Sequence, residues 1–268
     1  MRLSEGEVHL WALPLDEAPL QQVEPAVVDL AADEQARAER LRCPQARSAF
    51  IQTRMALRLV LGHYLGVPPL AIALSRGAWG KPQLGAGMGT LQFNVSHSGQ
   101  LALIALSHAA VGVDLEWQQA DLDWRELLPL CCHPAEQADF REATDAAGRA
   151  QMLRLWTAKE AYLKGRGEGL SLPLTAVCLQ ASGESWQPRI EAPWDHGQDW
   201  WLQPLQLPAG YIGCIATPFP SPLIRFQPLA DLTRSGQTEG PITFCHPLRD
   251  THHGMYPESA PVQRHFQP

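Results

Sequence analysis

The sequence predicts an α+β protein made of two similar α/β subdomains, each a small sheet packed with helices. Two observations carry this prediction. Hydrophobic residues fill 45% of the 268 positions, enough to bury a core and to exclude wholesale disorder. The hydrophobic pattern also runs helix and then strands twice along the chain, without a direct sequence repeat. We place the halves at residues 1–108 and 109–225, with a flexible tail at 226–268.

The elements follow in order. Val8, Leu10 and Ala12 alternate with polar neighbours as an edge strand does, and Pro14, Pro19 and Pro25 then mark a loop. From Asp33 the period turns helical, pauses at Cys43-Pro44, and resumes with Phe50, Leu57, Leu61 and Leu65 until Gly66 and Pro68 stop it; that is a helix of about six turns. Leu70–Leu74, Leu91–Val95, Leu101–Leu106 and Val111–Glu116 read as strands between Gly-rich turns. Pro134 suits a first helical position, and a longer helix spans about Ala150 to Gly165. Strands resume near Ala176–Gln180, Trp200–Leu205 and Tyr211–Ala216. After Pro218 the pattern fades, and residues from Phe226 onward hold six prolines and four histidines without periodicity.

Charge narrows the function. The 21 Lys and Arg against 28 Asp and Glu give −7, which argues against a general nucleic-acid binder, since such proteins neutralise phosphates. No stretch approaches the ~18 to 20 apolar residues of a membrane span, and the N-terminus lacks a signal-peptide run. A cytoplasmic protein without membrane contact is expected. Six cysteines without a C-x-x-C read as spectator thiols. Against the acidic total, Arg37, Arg40, Arg42, Arg47, Arg54 and Arg58 face only Glu39 between Gln35 and Gly66, a local cationic face.

Three segments carry candidate chemistry. In Val111-Gly112-Val113-Asp114-Leu115-Glu116 a strand turns the apolar residues inward and sets Asp114 and Glu116 on the other face, about 6.5 to 7 Å apart at Cα. That suits either a seat for one hard cation or a solvated outer face. In Trp156-Thr-Ala-Lys-Glu160-Ala-Tyr-Leu-Lys164 a helix aligns Trp156, Glu160 and Lys164. The Glu is either a third ligand or a general base, or else half of a surface ion pair. Phe93-Asn-Val-Ser96-His97-Ser98-Gly99 reads as a strand ending in a turn, which either meets a phosphate or is merely structural. Ser96 and His97 point to opposite faces and are poorly placed as a nucleophilic pair. Gly80-Lys81-Pro82 is a turn carrying one cation.

Taken in this order and spacing, GKP, NVSHS, GVDLE and WTAKEAYLK strongly resemble the Sfp-type 4'-phosphopantetheinyl transferases, from about Leu30 to Pro218. The resemblance implies that family's fold, two subdomains related by a pseudo-twofold, each with a small antiparallel sheet, working as a monomer. It implies transfer of 4'-phosphopantetheine from coenzyme A to a serine of an apo acyl or peptidyl carrier protein, with release of adenosine 3',5'-bisphosphate. Asp114, Glu116 and Glu160 match the family's Mg2+ ligands, with Glu160 the candidate base. His97, with Ser96 beside it, and Lys164 match residues on the pyrophosphate, and Lys81 and Pro82 match the segment lining the adenine side. The arginine-rich helix matches the region gripping the 3'-phosphate, where Arg47 and Arg54 are favoured over Arg40 and Arg42. Trp117–Leu130 resembles the carrier-docking region. Rival readings are a noncatalytic coenzyme A or carrier-binding module, which all three carboxylates disfavour, and a Mg2+-dependent nucleotide phosphodiesterase.

Overall fold

One 22-residue helix organises each half of the protein. The structure is a computed structural model and describes residues 2–15, 30–119, 121–190 and 193–228. The first half runs β1 (Glu7–Pro14), α1 (Ala32–Arg40), α2 (Pro44–Leu65), β2 (Leu74–Arg76), β3 (Pro82–Leu84), β4 (Gln92–Ser98) and β5 (Leu101–Ser107). The second runs β6 (Gly112–Trp117), α3 (Trp124–Cys131), α4 (Asp145–Arg166), β7 (Val177–Ser182), β8 (Ser185–Ile190), β9 (Trp201–Pro204) and β10 (Tyr211–Thr217), and β11 (Leu223–Pro228) follows. Pro44 opens α2 at its first turn and Gly66 closes it in the left-handed region at φ 66°, the termini that Pro and Gly favour. Gly167, at φ 75°, closes α4 in the same way.

The halves share a path. In the first, a strand (β1) precedes the long helix α2 and four strands follow, with β1 pairing antiparallel to the last, β5, and β5 to β4. In the second, β6 precedes α4, pairs antiparallel to β10, and β10 pairs with β9. The sheets are ordered β11-β1-β5-β4 and β6-β10-β9-β8-β7. Alternation along the strands sorts the core into three layers. Trp11, Leu13, Ala102, Ile104 and Leu106 pack against Ala56, Leu57, Val60 and Leu61 of α2. Their neighbours Val8, Leu10, Leu103 and Ala105 pack instead on Val113, Leu115 and Ile215 of the other sheet. Cys214 and Ala216 face Ala158, Ala161 and Tyr162 of α4. Helix, sheet, sheet and helix are therefore stacked in that order.

Several boundaries differ from the sequence reading. Leu70–Leu74 is not a strand: Pro69–Ala71 form a 3-10 turn and the strand begins at Leu74, because consecutive prolines at 68 and 69 lack backbone donors. Pro134 does not start a helix; α3 ends before it, and Gln137–Phe140 form one 3-10 turn after it. β8 escaped notice because it contains Pro188. That residue pairs with Leu179 of β7, whereas the pairing with β9 is confined to Trp186 and Leu202. β11 also escaped notice; it lies parallel to β1, so residues 223–228 rejoin the first sheet. The expected tail beyond Pro228 and most of the proline loop, residues 16–29, lie outside the described residues.

Candidate functional site

The site forms where β4 and β6, edge strands of the two packed sheets, come side by side. β4 and β6 are both edge strands, and an edge strand carries unpaired backbone donors. Here alternate side chains of β4 meet them. Asn94 Oδ1 accepts from the Val113 backbone N–H at 2.8 Å, and Ser98 Oγ accepts from that of Trp117 at 3.1 Å. The same face of β4 donates to the acids: Ser96 Oγ to Asp114 Oδ1 and Ser98 Oγ to Glu116 Oε2, both at 2.8 Å. Asn94, Ser96 and Ser98 thus form a ladder at the strand's own period of two.

Helix α4 brings the remaining charges. Its backbone lies almost on β6, since a Cβ at Gly112 would fall 1.9 Å from Ala161 O and 2.4 Å from Gly165 N. Only glycine permits that approach. Lys164 Nζ donates to Asp114 Oδ1 at 2.6 Å and to Ser96 Oγ at 3.1 Å. Burial lowers its pKa, but Asp114, Glu160 and Glu116 outweigh burial and leave it above the ordinary lysine value. For Glu160 the balance is reversed. Burial raises its pKa to about 6, helped by Asp114 and Glu116, although Lys164 pulls the other way. Asp114, Glu116 and Lys164 are therefore close enough to act on the titration of Glu160, and the three carboxylates on that of Lys164.

Among the described residues, no three His, Cys, Asp or Glu side chains are already drawn together as an ion cage. The donors nonetheless fit a hard divalent cation. All are carboxylate oxygens, and Asp114 Oδ2 is buried with no hydrogen-bond partner, an orphan that a cation would satisfy. His97 stands on the opposite face of β4 from Ser96. Its ring reaches solvent, yet the protein packed around it, together with the Lys164 charge, lowers its pKa.

The arginines divide in a way the sequence did not show. Arg47, favoured for phosphate, instead donates from Nε and Nη2 to Leu41 O at 3.1 and 2.9 Å, closing the end of α1. Arg58 is buried and paired with Glu34 at 2.7 Å. Arg54 lines a pocket with Arg37, Arg76, Phe50, Ser75 and Pro82, and with Asp33 and Glu34. Glu34 is engaged by Arg58 and by the Ala31 amide. Burial lowers the pKa of Arg54, and Arg37, Arg76 and Arg58 lower it further against Glu34. Among the described residues none of the guanidiniums of Arg37, Arg54 and Arg76 is in a salt bridge, and together they make a seat for an anion. Arg37 lies within the arginine run of the sequence, and Arg76 carries no sequence signal beyond its charge.

Other expectations shift as well. Lys81 does not turn its ammonium to this pocket; it donates to Val111 O at 3.0 Å and Gly165 O at 3.1 Å. Lys159 is 0% exposed and paired with Glu136 at 2.6 Å, not with solvent. It also donates to Cys131 O and Leu174 O, while Glu136 accepts from Leu179 N. Lys159 falls between Leu155 and Leu163 on the apolar stripe of α4, a signal the sequence did carry. In the docking segment Trp124 is core, packed on Phe140, whereas Trp117 and Leu130 are exposed.

Two family models match the chain. Residues 110–207 match the 4'-phosphopantetheinyl transferase superfamily, and residues 18–109 match the 4'-phosphopantetheinyl transferase N-terminal family. 4'-Phosphopantetheinyl transferase HetI of Nostoc sp. is 39% identical over 175 residues, 64% of this chain and 73% of that protein. A putative 4'-phosphopantetheinyl transferase of Synechocystis sp. is 35% identical, over 63% and 68%. The chain belongs to the 4'-phosphopantetheinyl transferase family and is a transferase. Among solved structures, holo-ACP-synthase from Plasmodium yoelii matches 40% of this chain and 91% of its own at 16% identity and a TM-score of 0.32, which adds nothing to the fold described above. Among the described residues, no helix is long and apolar enough to cross a membrane.

Proposed function

We propose that the protein transfers the 4'-phosphopantetheine of coenzyme A to a serine of an apo carrier protein and releases adenosine 3',5'-bisphosphate. The observation that carries this reading is the gathering of Asp114, Glu116, Glu160 and Lys164 from β6 and α4. Glu160 takes the serine proton as the serine oxygen bonds to the β-phosphorus, and the bond from that phosphorus to the bridging oxygen breaks. Lys164 and His97 lie on the pyrophosphate and favour the charge left on the bisphosphate. The 3'-phosphate enters the pocket of Arg37, Arg54 and Arg76, with Pro82 against the adenine.

Asp114, Glu116 and Glu160 would hold Mg2+, which when bound supplies a positive charge against the pyrophosphate oxygens. The carrier docks near Trp117 and Leu130, exposed apolar side chains at 42% and 58%. Every group named comes from one chain, which supports action as a monomer, and a cytoplasmic setting would supply coenzyme A and carriers. The test is mass spectrometry of apo acyl and peptidyl carriers incubated with the protein, coenzyme A and Mg2+. Addition of phosphopantetheine by the wild type and none by a folded Glu160→Gln variant is expected. No addition to any carrier, or hydrolysis of coenzyme A without an acceptor, would overturn the reading.

A further inference from the structure

The two segments that carry the proposed chemistry, β6 and the C-terminal half of α4, touch through their backbones at Gly112 and Gly165. Trp200 covers the far side of Gly165, where a Cβ would lie 2.6 Å from its ring. On the near side one side chain from the first half bridges both segments. The turn between β2 and β3 is closed by Gly77 N–H to Lys81 O and Gly80 N–H to Gly77 O, both 2.9 Å. It aims Lys81 at Val111 O, three residues before Asp114, and at Gly165 O, one residue after Lys164. A Cβ at Gly167 would meet the Lys81 stem at 3.4 Å. Among the described residues no carboxylate is paired with this ammonium, and burial alone pushes its pKa down to about 8. A cation held at such a cost by two carbonyls, one of them at a helix C-terminus, is placed to fix geometry.

We propose that Lys81 is a positioning residue whose ammonium, spanning Val111 O and Gly165 O, sets the separation between the β6 acids and the α4 pair Glu160 and Lys164. The proposal rests on the functional reading above, and it assigns Lys81 a place behind the site, without ligand contact.

The test uses Lys81→Met, which keeps the stem and removes the charge, and Lys81→Arg, whose longer planar fork alters the span. Both are expected to lower kcat, by about 10- to 100-fold for Met, the scale of a small misplacement of reacting groups. Both should weaken Mn2+ binding to the protein without coenzyme A, and both should leave the affinity for adenosine 3',5'-bisphosphate unchanged. Hydrogen exchange should quicken in residues 111–116 and 161–166. Weakened bisphosphate binding with kcat retained would make Lys81 a ligand contact, and a lower melting temperature with kcat and Mn2+ affinity intact would make it merely structural; either overturns the proposal. Should the Met variant fail to fold, an Arg variant with wild-type kcat and Mn2+ affinity overturns it. A wild type that modifies no carrier defeats the functional reading instead, while exchange at 111–116 and 161–166 still decides the bridge: no change in a folded variant refutes it.

Discussion

Glu160 is the residue whose replacement has the most counterintuitive expected outcome. In the metal-free protein its pKa rises from an ordinary 4.5 to about 6. A carboxyl harder to ionise when folded binds its proton more tightly in the native state, so stability falls as pH rises from about 4.5 to about 6 and stays lower above that. The cost is about 2 kcal/mol, from 1.36 kcal/mol for each tenfold change in acidity. Glu160→Gln removes the titration while keeping the shape. At pH 7.5 in chelator the variant should be about 2 kcal/mol more stable than wild type by urea unfolding, and transfer should vanish. Below pH 4.5 the gain should disappear. Mg2+ should stabilise the wild type more than the variant, because a ligand stabilises the state that binds it. A Gln variant no more stable at pH 7.5, or equally stabilised below pH 4.5, would refute the claim that burial, helped by Asp114 and Glu116, makes the Glu160 carboxylate costly at this site.

Arg54→Ala and Arg76→Ala should each raise the KM for coenzyme A about 10- to 100-fold, as loss of a charge-assisted bond to phosphate implies. Arg47→Ala should leave it within about twofold, because that guanidinium serves Leu41 O; steady-state kinetics separate them. Ser98→Ala should weaken Mn2+ binding by about tenfold through its lost bond to Glu116, with Ser98→Thr recovering most of it, read by calorimetry. Glu136→Gln should cost about 3 to 5 kcal/mol in urea unfolding by leaving the Lys159 charge buried without its partner, and the double change to Met and Leu should cost less than that.

Both long helices and the strand that carries Asp114 and Glu116 were legible because each rests on a local rule. Val113 and Leu115 against Asp114 and Glu116 follow from the period of a strand, and α2 from its Pro and Gly termini. What escaped was set by packing across the chain. Asn94, Ser96 and Ser98 look like a polar turn until β4 and β6 are laid side by side. Arg37, Arg54 and Arg76 form one pocket although 22 residues separate the last two, and Arg58 looks equivalent to them until Glu34 is seen against it. Lys81 reads as the cation of a turn and Lys159 draws no reading, yet both end on backbone carbonyls. Residues 223–228 offered too short an apolar run to declare which sheet they would join.

That last strand has a mechanical consequence. The chain leaves the first sheet at β5 and returns at β11, on the two sides of β1. The whole second half is therefore a loop pinned at two points, two strand spacings or about 10 Å apart. A domain hung from one linker can twist freely, whereas one hung from two pins can only swing about the line joining them. Twisting of the second half and sliding of β6 along β4 are thereby resisted by the two covalent joins as well as by the packed faces of the sheets. Removing residues 223–228 would withdraw one pin, free that twist, and bare the edge of β1 for pairing with other chains.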